Sequence, residues 1–264
     1  MGLCTDSSVT FLRNLGYNVV RHPNAALKPL DLVGVQDKES NYLGPLDLLI
    51  TNPPTTAPAV TMDVVAANIN GQLSSKLSID LGANILGSVI GALGGGNLGA
   101  SVTYTNARTI QFQYTDVLND QVVPLQVGNY LRDGRVDSGN LILKQYVLGN
   151  GDLYLITKTA KSKKFSVAFE MNNGAAAKVD VPLIQSIAGG SVNVTVDAQS
   201  KHVVSFEGAQ PLVFGFQCFQ VGVTEGNLSL TAIQAGGVVA AAGVAGAEIP
   251  AMLTGQGLLF LTYN

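Results

Sequence analysis

No tryptophan occurs among the 264 residues of this chain, and only two cysteines and two histidines do. Cys4 and Cys218 lie far apart without metal-ligand spacing, so neither a disulfide framework nor a zinc site is suggested and a reducing cytosol is the expectation. His22 and His202 fit no zinc pattern, and Cys4 is too close to a terminus to serve as half of a Cys-His nucleophile. Gly94-Gly95-Gly96 lacks the following Lys-Ser or Lys-Thr of a phosphate loop, and its flanks are not a βαβ unit. The chain therefore reads as a non-enzyme, without a catalytic residue, metal site or dissociable cofactor.

Charge is scarce as well. Charged residues make up 12% and hydrophobic ones 47%, and the net charge of -3 argues against an obligate nucleic-acid binder. Every Lys and Arg lies at or before Lys201, so the C-terminal stretch has neither. Strongly apolar runs are missing too: 83–100 and 226–247 are uncharged, but they consist of Gly, Ala and polar residues with few Leu, Ile or Phe. Neither is read as a transmembrane helix. The start, Met1-Gly2-Leu3-Cys4, lacks the regions of a secretory leader, and Asp6 stands where myristoylation needs Ser or Thr. The chain is expected to be soluble as made.

What is present is alternation. From Val65 the odd positions through Leu73, Leu77, Ile79 and Leu81 are mostly apolar and the even ones polar, which predicts a strand with one dry face. Residues 101–117 return with Val102, Tyr104, Ile110, Phe112 and Tyr114 on one face, and the glycine-rich 83–100 between the runs predicts a mobile joint. A second unit repeats the plan. Leu153 to Glu170 alternates through Phe165, Val167 and Phe169, small residues fill 172–190, and 191–207 returns with Val192, Val194 and Val196. Runs of about 9 to 11 alternating residues are long enough to cross a bilayer as β-strands, although a half-buried strand of a soluble sheet has the same pattern.

Elsewhere the pattern predicts a short helix over 10–15 closed by Gly16, strands over 17–21 (stopped by His22-Pro23) and 29–35, and a loop and strand over 43–50. A Pro/Thr-rich connector at 51–58, a helix-like or irregular segment at 127–131, a strand at 141–148 and a turn at 149–152 follow. The fold class expected is α+β, with a twisted, mainly antiparallel central sheet and short peripheral helices.

Gly2-Leu3-Cys4, Phe11-Leu12-Arg13, Gly16-Tyr17-Asn18-Val19-Val20-Arg21 and Pro29-Leu30-Asp31, with the chain length and the short apolar tail, resemble the bacterial gasdermins. The resemblance covers most of the chain, and its specific part is the first 35 residues or so. It implies a cytosolic pore-forming effector restrained by a short C-terminal peptide. Released by a partner protease, the subunits of such an effector form homo-oligomeric rings that open the inner membrane and kill the cell as an anti-phage defence. It also implies a palmitoyl group on Cys4. Each buried methylene is worth about 0.8 kcal/mol, so a single acyl chain would favour lipid reversibly and would need an apolar pocket at rest.

On this reading residues 1–236 form the pore-forming domain, 237–248 a linker and 249–264 the autoinhibitory peptide. The linker is Gly-, Ala- and Val-rich, and scission is expected within it at Gly237 or Ala242, Gly243, Val244, Ala245, Gly246, Ala247 or Glu248. Without Lys, Arg or Asp there, the protease must accept small apolar residues or Glu248. The plug is Met252, Leu253, Leu258, Leu259, Phe260, Leu261 and Tyr263, held at high effective concentration by its tether. Membrane insertion is expected over 62–117 and 151–207, with Leu73, Leu77, Ile79, Phe165, Val167, Phe169, Val192, Val194 and Val196 facing lipid. Leu77→Asp or Val194→Asp is then expected to abolish pores and spare soluble expression. Lys158, Lys161, Lys163 and Lys164 are candidates for anionic lipid at about 1 kcal/mol each, or for protecting a sheet edge. The competing class is a β-rich structural or binding module without lipid activity.

Overall fold

The computed structural model describes residues 12, 15–36, 39–53, 56–71, 76–93, 107–135, 137, 139–147, 151–171, 173–175, 177, 184–186, 190, 192–196, 203–224, 227–234, 237–239 and 261–262. In chain order these give strands β1 (Asn18–Asn24), β2 (Asp31–Gln36), β3 (Glu39–Pro45), β4 (Val60–Val65) and β5 (Leu77–Ser78). Helix α1 (Ile79–Ala92), strands β6 (Thr109–Thr115) and β7 (Leu118–Val122), and helices α2 (Pro124–Asp133) and α3 (Leu141–Val147) follow. The rest are the 19-residue β8 (Asp152–Glu170), β9 (Asn193–Val196), the 22-residue β10 (Val203–Thr224), β11 (Asn227–Gln234), β12 (Gly237–Val239) and β13 (Leu261–Thr262).

The two long strands are the spine. They pair antiparallel from Leu153 opposite Val221 to Ala168 opposite Val203. Along its outer edge β8 is met in turn by β2, β7 and β6, and β10 by β11, β1 and β9. Pairing is antiparallel throughout the described residues except where β13 adds in parallel to β3. The α+β class with a mainly antiparallel sheet and short helices is what the structure has.

Several local expectations are overturned. The run from Val65 to Leu81 is not one strand: β4 ends at Val65, the chain turns with Gly71 at φ 74°, and Ile79 opens a helix. The expected joint is therefore ordered as α1 up to Ala92, and its buried Leu86, Val89 and Ile90 recur at helical spacing to rest on the sheet. Burying three such side chains offsets the low helix propensity of Gly82, Gly87 and Gly91. Likewise 141–147 is a helix, because the Asn140 carboxamide oxygen accepts the N–H groups of Ile142 and Leu143 and caps it. Strand β1 continues through His22-Pro23 to Asn24, since its register with β10 shifts between Val19 and Asn24, and a proline is tolerated at a bulge. The run 191–207 divides into β9 and the start of β10, and β8 is interior, so its lysines protect no sheet edge.

One carboxylate in the frame is costly. Asp31 is fully buried at the start of β2; its Oδ2 accepts the Lys28 N–H at 2.8 Å while Oδ1 has no hydrogen-bond partner. Burial pushes its pKa up to about 6, against the smaller opposing effects of the Lys28 N–H, the Lys28 charge and the Tyr42 hydroxyl. A folded pKa above the unfolded value of about 3.9 means stability that is full below pH 4 and is lost as pH rises through 6. Relative to the parent, Asp31→Asn should therefore gain about 2–3 kcal/mol between pH 4 and pH 8 in chemical denaturation. A difference independent of pH would show that Asp31 does not titrate in this range.

Candidate functional site

Both alternating units finish at the same end of the spine. There β6, β8, β10 and β9 lie side by side, and registry places like side chains in rows. Phe112, Val167, Val204 and Val196 form one row; Tyr114, Phe165, Phe206 and Val194 form the next. Leu77, Ile110 and Phe169 form a third. Phe165 and Phe206 stack with centroids 4.9 Å apart and planes 9° from parallel.

The opposite face is polar. Gln113, Ser166, Ser205 and Thr195 share one row and Thr115, Lys164, Glu207 and Asn193 another. The Ser166 and Ser205 hydroxyls are 2.7 Å apart, and Lys164 lies 3.0 Å from Asp116 and 3.7 Å from Glu207. A division of this kind is common to β-barrel walls, with one side for lipid and one for water, and to half-buried soluble sheets.

In this structure the apolar side is covered by protein. Leu86, Val89, Ile90 and Leu93 from the α1 segment share one buried cluster with the sheet residues. Two glycines set the approach. A Cβ added at Gly82 would stand 1.6 Å from Cγ2 and 2.9 Å from Cβ of Ile110, and one at Gly208 would stand 2.2 Å from Cδ2 of Leu93. The helix thus lies closer to the sheet than any side chain at position 82 permits.

Of the side chains expected to face lipid, Leu77, Phe165, Val167, Phe169, Val192 and Val194 are buried in this cluster, Ile79 packs against it and Val196 is half-buried. Leu73 lies outside the described residues. The structure adds Ile110, Phe112, Val204 and Phe206 to this face. The expectation that Leu77→Asp or Val194→Asp spares folding is corrected: either would bury a charge among hydrocarbon and unfold the resting domain.

The lysines separate. Lys161 is buried, with Nζ 2.7 Å from Asp120 and 2.9 Å from Asp63, so in this fold it is an internal ion pair and not a lipid contact. Lys163 and Lys164 share Glu207, and Lys158 lies half-buried beside Gln121 and Gln217 in a shallow cleft. Cys4, positions 242–248 and the plug residues Met252, Leu253, Leu258, Leu259, Phe260 and Tyr263 lie outside the described residues. Gly237 begins β12, which pairs with β11 where a linker is expected, and Leu261 lies in β13 opposite Ser40. No helix among the described residues is long and apolar enough to cross a membrane, and no cluster of metal-binding side chains occurs among them.

A family model described as the Bacterial Gasdermin Family matches residues 20–227. A gasdermin from a Vitiosangium species is 46% identical over 264 residues, covering 99% of both chains. A second, from a Desulfuromonadales bacterium, is 36% identical over 225 residues, 85% of this chain and 84% of that one. The solved structure of a bacterial gasdermin from Bradyrhizobium tropiciagri superposes with a TM-score of 0.61 at 16% identity, covering 86% of this chain and 90% of that one, a likeness of fold.

Proposed function

Because this chain belongs to the bacterial gasdermin family, whose members are pore-forming effectors and not enzymes, we propose that it is an autoinhibited effector of that kind. The observation that carries the reading is the set of apolar rows across β6, β8, β10 and β9, with a polar face behind and helix α1 packed in front. At rest α1 keeps the rows dry. On activation the two hairpin units, 62–117 and 151–207, lengthen towards the membrane and exchange the helix for lipid.

The tail supplies the restraint. Residues 249–264 hold the domain closed, and a partner protease cuts between Gly237 and Glu248. Now that β12 is seen to occupy Gly237–Val239, 240–248 is the favoured window, since a paired strand resists proteolysis. The contact of β13 with β3 offers a route by which the tail's departure is felt, because β3 pairs with β2 and β2 with β8 of the spine. Palmitoylated Cys4 and anionic lipid favour the inner membrane, and rings opened there end the growth of a phage-infected cell.

The test is dye release from anionic liposomes by a full chain carrying an inserted protease site after Gly243, measured before and after nicking. Release should begin only on nicking. If the nicked chain stays folded and silent, even when acylated at Cys4, the β-rich structural module becomes the account of this fold.

A further inference from the structure

One cleft lies away from the apolar rows. It is a cavity of about 100 Å3 where β4, β7, β8 and β10 run side by side, and registry aligns Gln121, Lys158 and Gln217 in one row across it. Thr61 extends the row on β4. A bulge in β8 shapes this cleft: Gln217 pairs with Lys158 and Cys218 with Ile156, so Thr157 is left over between them. Its hydroxyl donates to the Gln217 carbonyl at 3.4 Å.

Lys158 is the exception among the four lysines of β8. Lys161, Lys163 and Lys164 stand 2.7, 3.4 and 3.0 Å from a carboxylate oxygen, whereas Lys158 has no ion-pair or hydrogen-bond partner among the described residues. The Gln121 and Gln217 carboxamides beside it have none there either. No residue lining the cleft is acidic. Asp120, next to Gln121 in sequence, belongs to the opposite face, where Lys161 and the Asp63 N–H hold it. A half-buried ammonium between two carboxamides, with no carboxylate to neutralise it, is arranged for an anion from outside. We propose that the cleft binds a phosphate-class oxyanion from solution, with the Lys158 ammonium at its centre and the Gln121 and Gln217 amide groups on either side.

Size and place select this ligand. The cavity is well below the roughly 300 Å3 at which pockets begin to hold drug-sized molecules, so it suits a small ion and not a nucleotide. Phe165, where the apolar rows begin, is seven residues further along β8, roughly 20 Å of strand, which favours a dissolved ion over a lipid headgroup. Helix α2 adds to the field, since it opens on the rim with Val123 in the capping position and no side chain capping it. A bound ion ties β4 and β7 to β8 and β10, and it stabilises the resting domain by binding the folded chain alone.

Thermal unfolding of the uncleaved full chain in phosphate, against chloride at equal ionic strength, tests the site. Phosphate also stabilises proteins through exclusion from their surface, so the reading is the difference between the parent and Lys158→Met. At tenfold its Kd the bound ion should raise the parent's Tm by roughly 3–6 °C more than the variant's, and the excess should saturate. Lys158→Arg keeps the charge and should retain the excess. Gln121→Leu with Gln217→Leu should weaken binding at least tenfold with Lys158 still in place. Line broadening of inorganic phosphate in phosphorus NMR reads the same site on the folded chain, should a variant prove too unstable to compare by melting. Equal gains in the parent and Lys158→Met, or a gain that never saturates, would overturn the site. If the two chains differ in sedimentation with phosphatidylglycerol vesicles but not in phosphate, a lipid headgroup is the ligand and the dissolved ion is overturned. No reading here uses dye release, so the site stands or falls apart from pore formation.

Discussion

Gly82→Ala should destabilise the resting chain and let it leak without cleavage, whereas Gly91→Ala in the same helix should stabilise it. Both substitutions improve helix propensity by up to about 1 kcal/mol. They differ in what the new methyl meets: nothing within 4 Å at Gly91, but the branched Cβ of Ile110 at Gly82, with Cγ2 only 1.6 Å away. Because the nearest atoms belong to the stem of a fully buried side chain on β6, the helix must lift. Overpacking of this sort costs about 1–3 kcal/mol, which is roughly 2–12 °C in Tm for a domain of this size. The lifted helix is the one that covers the apolar rows, so the uncleaved Gly82→Ala chain should shed liposome dye at least tenfold faster than the parent. If its Tm rises with that of Gly91→Ala, Ile110 moves aside and this contact does not hold α1.

Lys161→Met should produce the largest loss of stability, with no gain in leakage. The Asp120 carboxylate is buried; its Oδ1 accepts the Asp63 N–H at 2.9 Å and its Oδ2 faces Lys161 at 2.7 Å. Removing the ammonium strands that charge, at about 3–5 kcal/mol. The Asp63 leg differs, since that side chain is 63% exposed and water screens it. Asp63→Asn should therefore change stability by less than about 1 kcal/mol, helped by the tolerance of asparagine for the φ of 60° at this bulge. Lys161→Met with Asp120→Leu should recover part of the loss, because the apolar pair leaves no buried charge, although the Asp63 N–H loses its acceptor. Urea denaturation of the three variants reads this directly, and equal losses for Lys161→Met and Asp63→Asn would contradict the division. The pair ties β8 to β7 and β4.

What could be read in advance follows from which forces act locally. The facing of β6 and of the distal half of β8 was legible because alternation of Ile110, Phe112 and Tyr114 and of Phe165, Val167 and Phe169 reports one dry side wherever the strand sits. Helix α1 was not, since Ile79-Asp80-Leu81 continues a period of two and the glycines argue against a helix. Only the sheet beneath supplies the burial that decides. A signal was present for α3 and went unused, namely Asn140 before an apolar run. The pairing of Lys161 with Asp120 joins residues 41 apart, and nothing local marks it.

The apolar rows have a consequence for how this sequence can drift. If the rows meet lipid as proposed, each of their side chains must suit two solvents in turn, the underside of a helix and the interior of a bilayer. Those solvents reject the same substitutions, so the second requirement adds little to the first. Valine, isoleucine and phenylalanine form one vocabulary for both structures, and a chain selected only to stay folded has already met most of what insertion asks of that face. The room for variation lies on the other face, where Gln113, Ser166, Ser205 and Thr195 touch water in either state.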